Sequence, residues 1–77
     1  GETLLLQGVV DAAILEADGI TVIDFKTDRV TERTVRSRAE EYRGQLSAYR
    51  RALERIFGRP VKEMVLYFLS IGKAVSL

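Results

Sequence analysis

The stretch that decides the fold is DAAILEADGITVIDFK, which spans residues 11–26. Two apolar runs flank Asp18-Gly19. Asp-Gly between such runs predicts a β-hairpin, because Gly accepts a positive φ without steric cost. The first run reaches back to Leu4, so we expect residues 4–15 to form one strand buried on both faces. The return strand is predicted over residues 20–26.

One long helix is predicted downstream of the hairpin. Residues 27–36 have no clear period and are expected to form a loop. Ser37 and Glu40 match a capping box, and a helix of about twenty residues should follow. Gly58, with Pro60 just beyond it, should end that helix. Its apolar positions recur at spacings of three and four residues: Ala39, Tyr42, Leu46, Tyr49, Leu53, Ile56 and Phe57.

Two further strands are predicted, over residues 61–69 and 74–77, which gives the order strand, strand, helix, strand, strand. The second strand, the helix and the third strand form a crossover, which should be right-handed and make those strands parallel. The predicted fold class is therefore α/β, with a mixed sheet and the helix on one face. Nothing in the sequence is left to cover the other face, so an excised segment or a partner would have to do so.

Length and composition exclude several classes of protein. A chain of 77 residues is one small domain. Because it starts with Gly and runs at once into a strand-like stretch, we expect residues 1–77 to be part of a longer chain. The absence of Cys and His excludes disulfides, structural zinc and an iron–sulfur cluster, and the lack of Cys fits a reducing cytoplasm. No apolar run approaches the ~20 residues of a membrane span.

Charge is unevenly distributed, although the formal net charge is only +1. Residues 1–25 carry five acidic and no basic side chains, whereas residues 26–62 carry eleven basic and five acidic ones. An acidic hairpin beside a basic helix suits a metal site next to a polyanion. The alternative is a solvated helix face with ion pairs.

Three charged residues in the hairpin point to chemistry. Asp11 lies within an apolar run, where a carboxylate is costly unless it is paired, hydrogen-bonded or bound to a metal. A turn centred between residues 17 and 18 pairs Asp11 with Asp24, with Cβ atoms about 5 Å apart. Lys26 follows two residues later and should point to the same side as Asp24.

Two adjacent carboxylates repel, and a hard divalent cation such as Mg²⁺ resolves that repulsion. The ion can polarise a phosphoryl oxygen and lower the pKa of a bound water. Lys26 could orient the attacking water or stabilise charge on the phosphate. This set is sufficient for metal-assisted phosphodiester hydrolysis. The alternative is an Asp–Lys ion pair of structural importance only, with Asp11 exposed.

The helix adds polar groups on the same side. Tyr42 and Tyr49 could be core residues, but the amide of Gln45 on an apolar stripe needs a partner, which the Asp–Lys cluster or a phosphate would supply. Three arginines on other faces could contact a DNA backbone or only solvent: Arg43, Arg50 and Arg51.

Three motifs together resemble the nuclease domain of the RecB family, within the PD-(D/E)XK superfamily. They are QGVVD at residues 7–11, DFKTDRV at residues 24–30 and YRGQLSAY at residues 42–49. Within that family, the sequence most resembles the C-terminal nuclease domain of AddA-type helicase–nuclease subunits. The resemblance extends nearly to residue 68. The first motif alone is weak, but the combination at this spacing is specific.

The resemblance implies roles for six residues. Asp11, Asp24 and the backbone carbonyl of Phe25 would be ligands of Mg²⁺ or Mn²⁺. Lys26 would be the catalytic lysine. Gln45 and Tyr49 would form the helix motif that flanks the active site.

The resemblance also implies a biological setting. Such domains are metal-dependent deoxyribonucleases of the exonuclease type, which degrade DNA unwound by a helicase of the same chain during double-strand-break repair and recombination. A second nuclease/helicase subunit would be a partner, and the complex would act at the nucleoid in the bacterial cytoplasm. ATP would serve only the attached helicase. The chain would belong to the branch without an iron–sulfur cluster.

One departure concerns a missing element. The family usually has a helix before the first strand that carries a His or Glu metal ligand, and this chain has no His and starts after that point. A homodimer could cover the open sheet face instead. Two alternatives to the nuclease remain: a non-catalytic nuclease-like module that binds DNA or a partner protein, and a small α/β domain without a site.

Overall fold

The described part of the chain folds into a five-stranded sheet with two helices. The computed structural model describes residues 2–6 and 11–77, with side chains from residue 12 onward. In chain order the elements are β1 Glu2–Leu6, β2 Asp11–Glu16, β3 Gly19–Lys26, α1 Val35–Glu41, α2 Arg43–Phe57, β4 Val61–Phe68 and β5 Lys73–Ser76. The strands lie in the sheet in their sequence order.

The strand pairing confirms a mixed sheet. β3 pairs with β4 in parallel, and the other neighbouring strands pair antiparallel. Only Ala17 and Asp18 connect β2 to β3, so the hairpin turn lies where the sequence predicts it. The Cα of Asp11 is paired with that of Asp24, which confirms the predicted register.

The prediction of one strand over residues 4–15 is wrong. β1 and β2 are separate strands that pair antiparallel, with Leu6 opposite Asp11. A run of twelve residues is long for a strand, and Gly8 interrupts it, which is a turn signal. Residues 7–10 lie outside the described part of the chain.

The predicted helix is also divided. Tyr42, with φ −90° and ψ −6°, ends α1 and precedes α2. Gly44, a weak helix former, follows two residues later and lowers the local helix propensity. The predicted capping box at Ser37 is wrong, because Ser37 lies inside α1 and Thr34 is the N-cap. Thr34 instead exchanges backbone-to-hydroxyl hydrogen bonds of 3.0 and 3.2 Å with Thr31.

The helices cover one face of the sheet with the predicted apolar stripe. Ala39, Leu46 and Leu53 are buried, and Gly58 ends α2 with φ 64° as predicted. Ile56, which the sequence pattern places on the same stripe, is 71% exposed. The stripe is therefore narrower than the spacing suggests. No helix in the described residues is long and apolar enough to cross a membrane.

Alternate residues of the sheet define its two faces. The face beneath the helices is fully buried at Val22, Leu66 and Phe68. On the opposite face, the larger apolar side chains are only half-buried, among them Phe25 and Tyr67, whose rings meet edge to face at 5.8 Å. The sequence predicts this difference between the faces.

A bulge joins the hairpin to the start of β4. Ile20 pairs with Val61 but Thr21 pairs with Glu63, so Lys62 is an extra residue in the ladder. Its ammonium lies 3.0 Å from a carboxylate oxygen of Glu16 and 3.0 Å from one of Asp18. The bulge thus directs Lys62 to the hairpin turn.

Candidate active site

The end of β3 brings an acid and a base together beneath the helices. Asp24 and Lys26 are two residues apart on one strand and therefore share a face. Nζ of Lys26 lies 3.2 Å from Oδ2 of Asp24. Asp24 is 7% exposed and is the one buried charged residue of the part of the chain with described side chains. The ion pair offsets the cost of burying its charge.

The break between the helices adds an aromatic ring to this pair. Nζ of Lys26 lies 4.1 Å from the ring centroid of Tyr42, a cation–π contact. The Lys26 carbonyl accepts a 3.0 Å hydrogen bond from the amide of Leu69, which fixes the backbone at the end of β3. The ammonium thus lies between a carboxylate and a ring, on an anchored strand end.

Asp28 extends the cluster. The Tyr42 hydroxyl donates a 2.7 Å hydrogen bond to Oδ2 of Asp28, and Nε of Arg38 lies 3.7 Å from the same oxygen. Donation to this carboxylate, together with partial burial, raises the pKa of the Tyr42 phenol. The Ser70 hydroxyl donates a 2.9 Å bond to the Asp28 carbonyl, so the loop after β3 is held to the loop after β4.

Comparison with known proteins matches the sequence to one family. The sequence profile of the PD-(D/E)XK nuclease superfamily matches residues 1–76. The chain belongs to this superfamily. The resemblance deduced from the three sequence motifs is thereby confirmed, and so is the fold class.

The alignments with relatives cover almost the whole of this chain. It is 49% identical over 76 residues to an ATP-dependent helicase/nuclease subunit of Carboxydothermus hydrogenoformans and 48% identical over 76 residues to the subunit of the same name in Acetivibrio thermocellus. In both cases 99% of this chain is covered but only 6% of the relative. The equivalent protein of a Bacillus cereus strain is 48% identical over 84 residues, which are 7% of its length.

Two predicted site residues of this superfamily member lie on strands beside the Asp–Lys pair. Asp11 begins β2 and its Cα is paired with that of Asp24; its side chain lies outside the described set. Phe25 lies between Asp24 and Lys26, and its ring packs against Tyr67 on the other face of the sheet. The Phe25 side chain therefore points away from Asp24 and Lys26, and only its backbone can contribute to the site.

The predicted helix residues lie on α2. Tyr49 is half-buried and packs against the core. Gln45 is exposed, so water can satisfy its amide, and the expectation that it needs a partner within the site is not met. Arg43 forms an ion pair of 2.6 Å with Glu40. Arg50 is half-buried and Arg51 is exposed.

Asp24 itself offers carboxylate oxygens, the type of ligand that suits a hard divalent cation. Within residues 12–77, no group of three or more His, Cys, Asp or Glu side chains is close enough together to hold a metal ion. A metal ion at Asp24 would therefore need a further ligand, and Asp11, whose Cα is paired with that of Asp24 across the hairpin, is the candidate. The residues fit a magnesium-type ion on these terms.

Sequence reasoning missed the part played by Asp28. The available signal was a carboxylate two residues after Lys26, where β3 has ended and the Arg-rich loop begins. Tyr42 was noted as a member of the helix stripe, but not as the partner of Lys26. Both contacts join residues far apart in sequence, which periodicity cannot reveal.

Proposed function

We propose that this chain is the catalytic core of a metal-dependent deoxyribonuclease that hydrolyses phosphodiester bonds as an exonuclease. The observation that carries the proposal is the buried Asp24 carboxylate, 3.2 Å from the Lys26 ammonium and in register with Asp11. A buried carboxylate next to a lysine, in register with a second aspartate, has a cost that a purely structural domain would have no reason to bear.

Asp11, Asp24 and the backbone carbonyl of Phe25 would hold Mg²⁺ or Mn²⁺. When bound, such an ion polarises a phosphoryl oxygen and lowers the pKa of its water ligand. The carboxylates would otherwise repel each other, so the proposal also explains why two acids are in register on neighbouring strands.

Lys26 is proposed as the catalytic lysine. An ammonium has three N–H donors, of which Asp24 takes one. A donor that Asp24 does not take can orient the attacking water or stabilise the charge that develops on the scissile phosphate. Because the lysine is largely buried, this stabilisation is stronger than it would be in water.

The helix residues would contact the DNA substrate. Gln45 is exposed on α2 and is free to reach a nucleotide, and Tyr49 lies one turn further along the same helix. Basic residues on this helix and in the preceding loop would neutralise backbone phosphates.

The relatives are named as helicase/nuclease subunits, and this supports a wider setting for the chain. We propose that it works in a helicase–nuclease that takes part in double-strand-break repair and recombination in the bacterial cytoplasm, near the nucleoid. The helicase of the same polypeptide would consume ATP, and a second nuclease/helicase subunit would be the partner.

The test is a titration of the chain with Mg²⁺ or Mn²⁺, followed by backbone amide NMR and by cleavage of labelled DNA. We expect shifts at Asp11, Asp24 and Lys26, and cleavage that stops when EDTA is added. Asp24→Asn should abolish both the metal-induced shifts and the cleavage. The matched control is Asp18→Asn, which changes an exposed acid at the hairpin turn and should retain both the shifts and the cleavage.

Cleavage that persists in Asp24→Asn, or in EDTA, would contradict the proposal. Tight binding of DNA without metal and without cleavage, unchanged in Asp24→Asn, would favour the alternative of a non-catalytic nuclease-like module. The two functions are told apart by whether metal is needed and by whether the DNA is cleaved or only bound.

A further inference from the structure

Lys26 is held from two sides. Oδ2 of Asp24 lies 3.2 Å from its ammonium, and the centroid of the Tyr42 ring lies 4.1 Å from the same atom. A flexible four-carbon side chain has many rotamers, and two partners on different elements select among them. One partner lies on β3 and the other at the junction of α1 and α2.

Tyr42 is itself fixed at both ends. Its amide donates a 3.1 Å hydrogen bond to the Ala39 carbonyl, and its own carbonyl accepts a 2.9 Å bond from the Leu46 amide. Its hydroxyl donates a 2.7 Å bond to Asp28. The ring therefore cannot turn away from Lys26 without breaking a charge-assisted hydrogen bond.

Asp28 lies on the same stretch of chain as Lys26, two residues downstream. Its side chain also faces Arg38 at 3.7 Å, and its carbonyl accepts the Ser70 hydroxyl at 2.9 Å. Asp28 thus links the end of β3, the helix junction and the loop after β4.

We propose that Tyr42, fixed by Asp28, is a positioning residue that holds the Lys26 ammonium beside Asp24. This inference rests on the proposed function, in which Lys26 is the catalytic group. With one N–H directed at Asp24 and one at the ring, the third is left to meet a phosphate oxygen. Tyr42 would act through Lys26 and need not touch the substrate.

The first measurement does not depend on activity. Protons that lie over an aromatic ring move upfield, so we expect the Hε protons of Lys26 to be displaced upfield in metal-free wild-type chain. Tyr42→Leu should abolish that displacement, whereas Tyr42→Phe, which keeps the ring, should retain most of it. The matched control is Tyr67→Leu, which removes a half-buried tyrosine from the opposite face of the sheet and should leave the Lys26 signals unchanged.

The second measurement is DNA cleavage with Mn²⁺. Because small misplacement of a catalytic group is costly, kcat of Tyr42→Leu should fall by roughly 10- to 100-fold while KM for DNA stays constant. Tyr42→Phe should recover most of that loss. Tyr42→Phe and Asp28→Ala delete the same hydrogen bond, and Asp28→Ala also removes the contact with Arg38, so the double variant should be no worse than Asp28→Ala alone.

The outcomes separate this inference from the proposed function. An unshifted Lys26 Hε signal in the wild-type chain, or a kcat of Tyr42→Leu equal to that of Tyr67→Leu, overturns the positioning role. Wild-type chain that shows the Lys26 shift but never cleaves DNA overturns the proposed function and leaves the position of the ammonium established. If Tyr42→Leu fails to fold, two measurements still test the positioning role. They are the Lys26 Hε shift of the wild-type chain and the double-mutant cycle of Tyr42→Phe with Asp28→Ala.

Discussion

The amide of Ile20 donates a 2.8 Å hydrogen bond to the carbonyl of Pro60, and this bond joins the start of β3 to the residue before β4. Gly19 lies directly against the same carbonyl: a Cβ at this position would be 2.9 Å from the Pro60 oxygen. The parallel pairing that carries the site therefore begins at a point where the two backbones leave no room for a side chain.

We predict that Gly19→Ala destabilises the chain. The added methyl group would collide with backbone, and the φ of 155° at Gly19 is one that L-residues rarely adopt. A loss of about 1–3 kcal/mol is expected in the free energy of unfolding, measured in urea.

The matched control for this substitution is Gly44→Ala. Apart from the local backbone of α2 and the two neighbouring residues, no described atom lies within 4 Å of a Cβ built at Gly44. Ala should raise the free energy of unfolding by up to about 1 kcal/mol there. Equal effects of the two substitutions would show that crowding at Pro60 does not limit position 19.

Burial on α2 predicts a second pair of outcomes. Leu53 is 4% exposed and packs in the core, so Leu53→Ala should cost about 2–5 kcal/mol of unfolding free energy. Ile56 lies three residues further along and is mostly exposed; Ile56→Ala should change stability by less than about 0.5 kcal/mol. A large loss from Ile56→Ala would mean that another surface covers this residue in solution.

Glu54 should stabilise the start of β4. Its Oε2 accepts a 2.8 Å hydrogen bond from the Val61 amide. Glu54→Ala leaves that amide without its acceptor and should cost about 1–3 kcal/mol, whereas Glu54→Gln keeps an acceptor and should cost less. Glu40→Ala removes only an exposed ion pair with Arg43 and serves as the control with a much smaller effect.

The ion pairs of Lys62 with Glu16 and Asp18 predict a change in the acid titration of Asp18. A hydrogen bond from Lys62 lowers the pKa of the Asp18 carboxyl. Lys62→Met should therefore raise that pKa towards its usual value, as measured by NMR of the Asp18 side chain during acid titration. Lys73→Met, which breaks the ion pair with Glu32 instead, should leave the Asp18 pKa unchanged.

The sign of the stability effect follows from this shift. A carboxyl whose pKa is lower in the folded state stabilises that state above its unfolded pKa, and the contribution is lost as pH falls through the folded pKa. Wild-type chain and Lys62→Met should thus differ in stability near neutral pH and converge in strong acid. A difference that persists in strong acid would assign the effect of Lys62 to packing.

Local signals in the sequence predicted the elements that depend on neighbouring residues. The two-residue turn between Glu16 and Gly19 set the register, and with it the pairing of Asp11 with Asp24. Gly58 ended the helix where expected. These features follow from turn chemistry and side-chain period, which short segments carry by themselves.

The sequence predictions failed where tertiary contacts determine the local structure. The break at Tyr42 interrupts a spacing of apolar residues that continues unchanged across it, and no Pro marks the position. Its hydroxyl bond to Asp28 and its ring contact with Lys26 both join segments that are distant in sequence. The roles of all six predicted site residues stay predictions: Asp11, Asp24, Phe25, Lys26, Gln45 and Tyr49.

From the parallel pairing of β3 with β4 we expect the site to assemble in two steps. A hairpin closed by a short turn forms within about 1–10 μs, and it alone sets Asp11 opposite Asp24. Tyr42, the partner of Lys26 on the helical crossover, should reach it only when that crossover docks and Phe68 pairs with Lys26, a non-local closure with a larger entropic cost. Substitutions that slow this docking would delay the reactive arrangement while leaving the early hairpin intact.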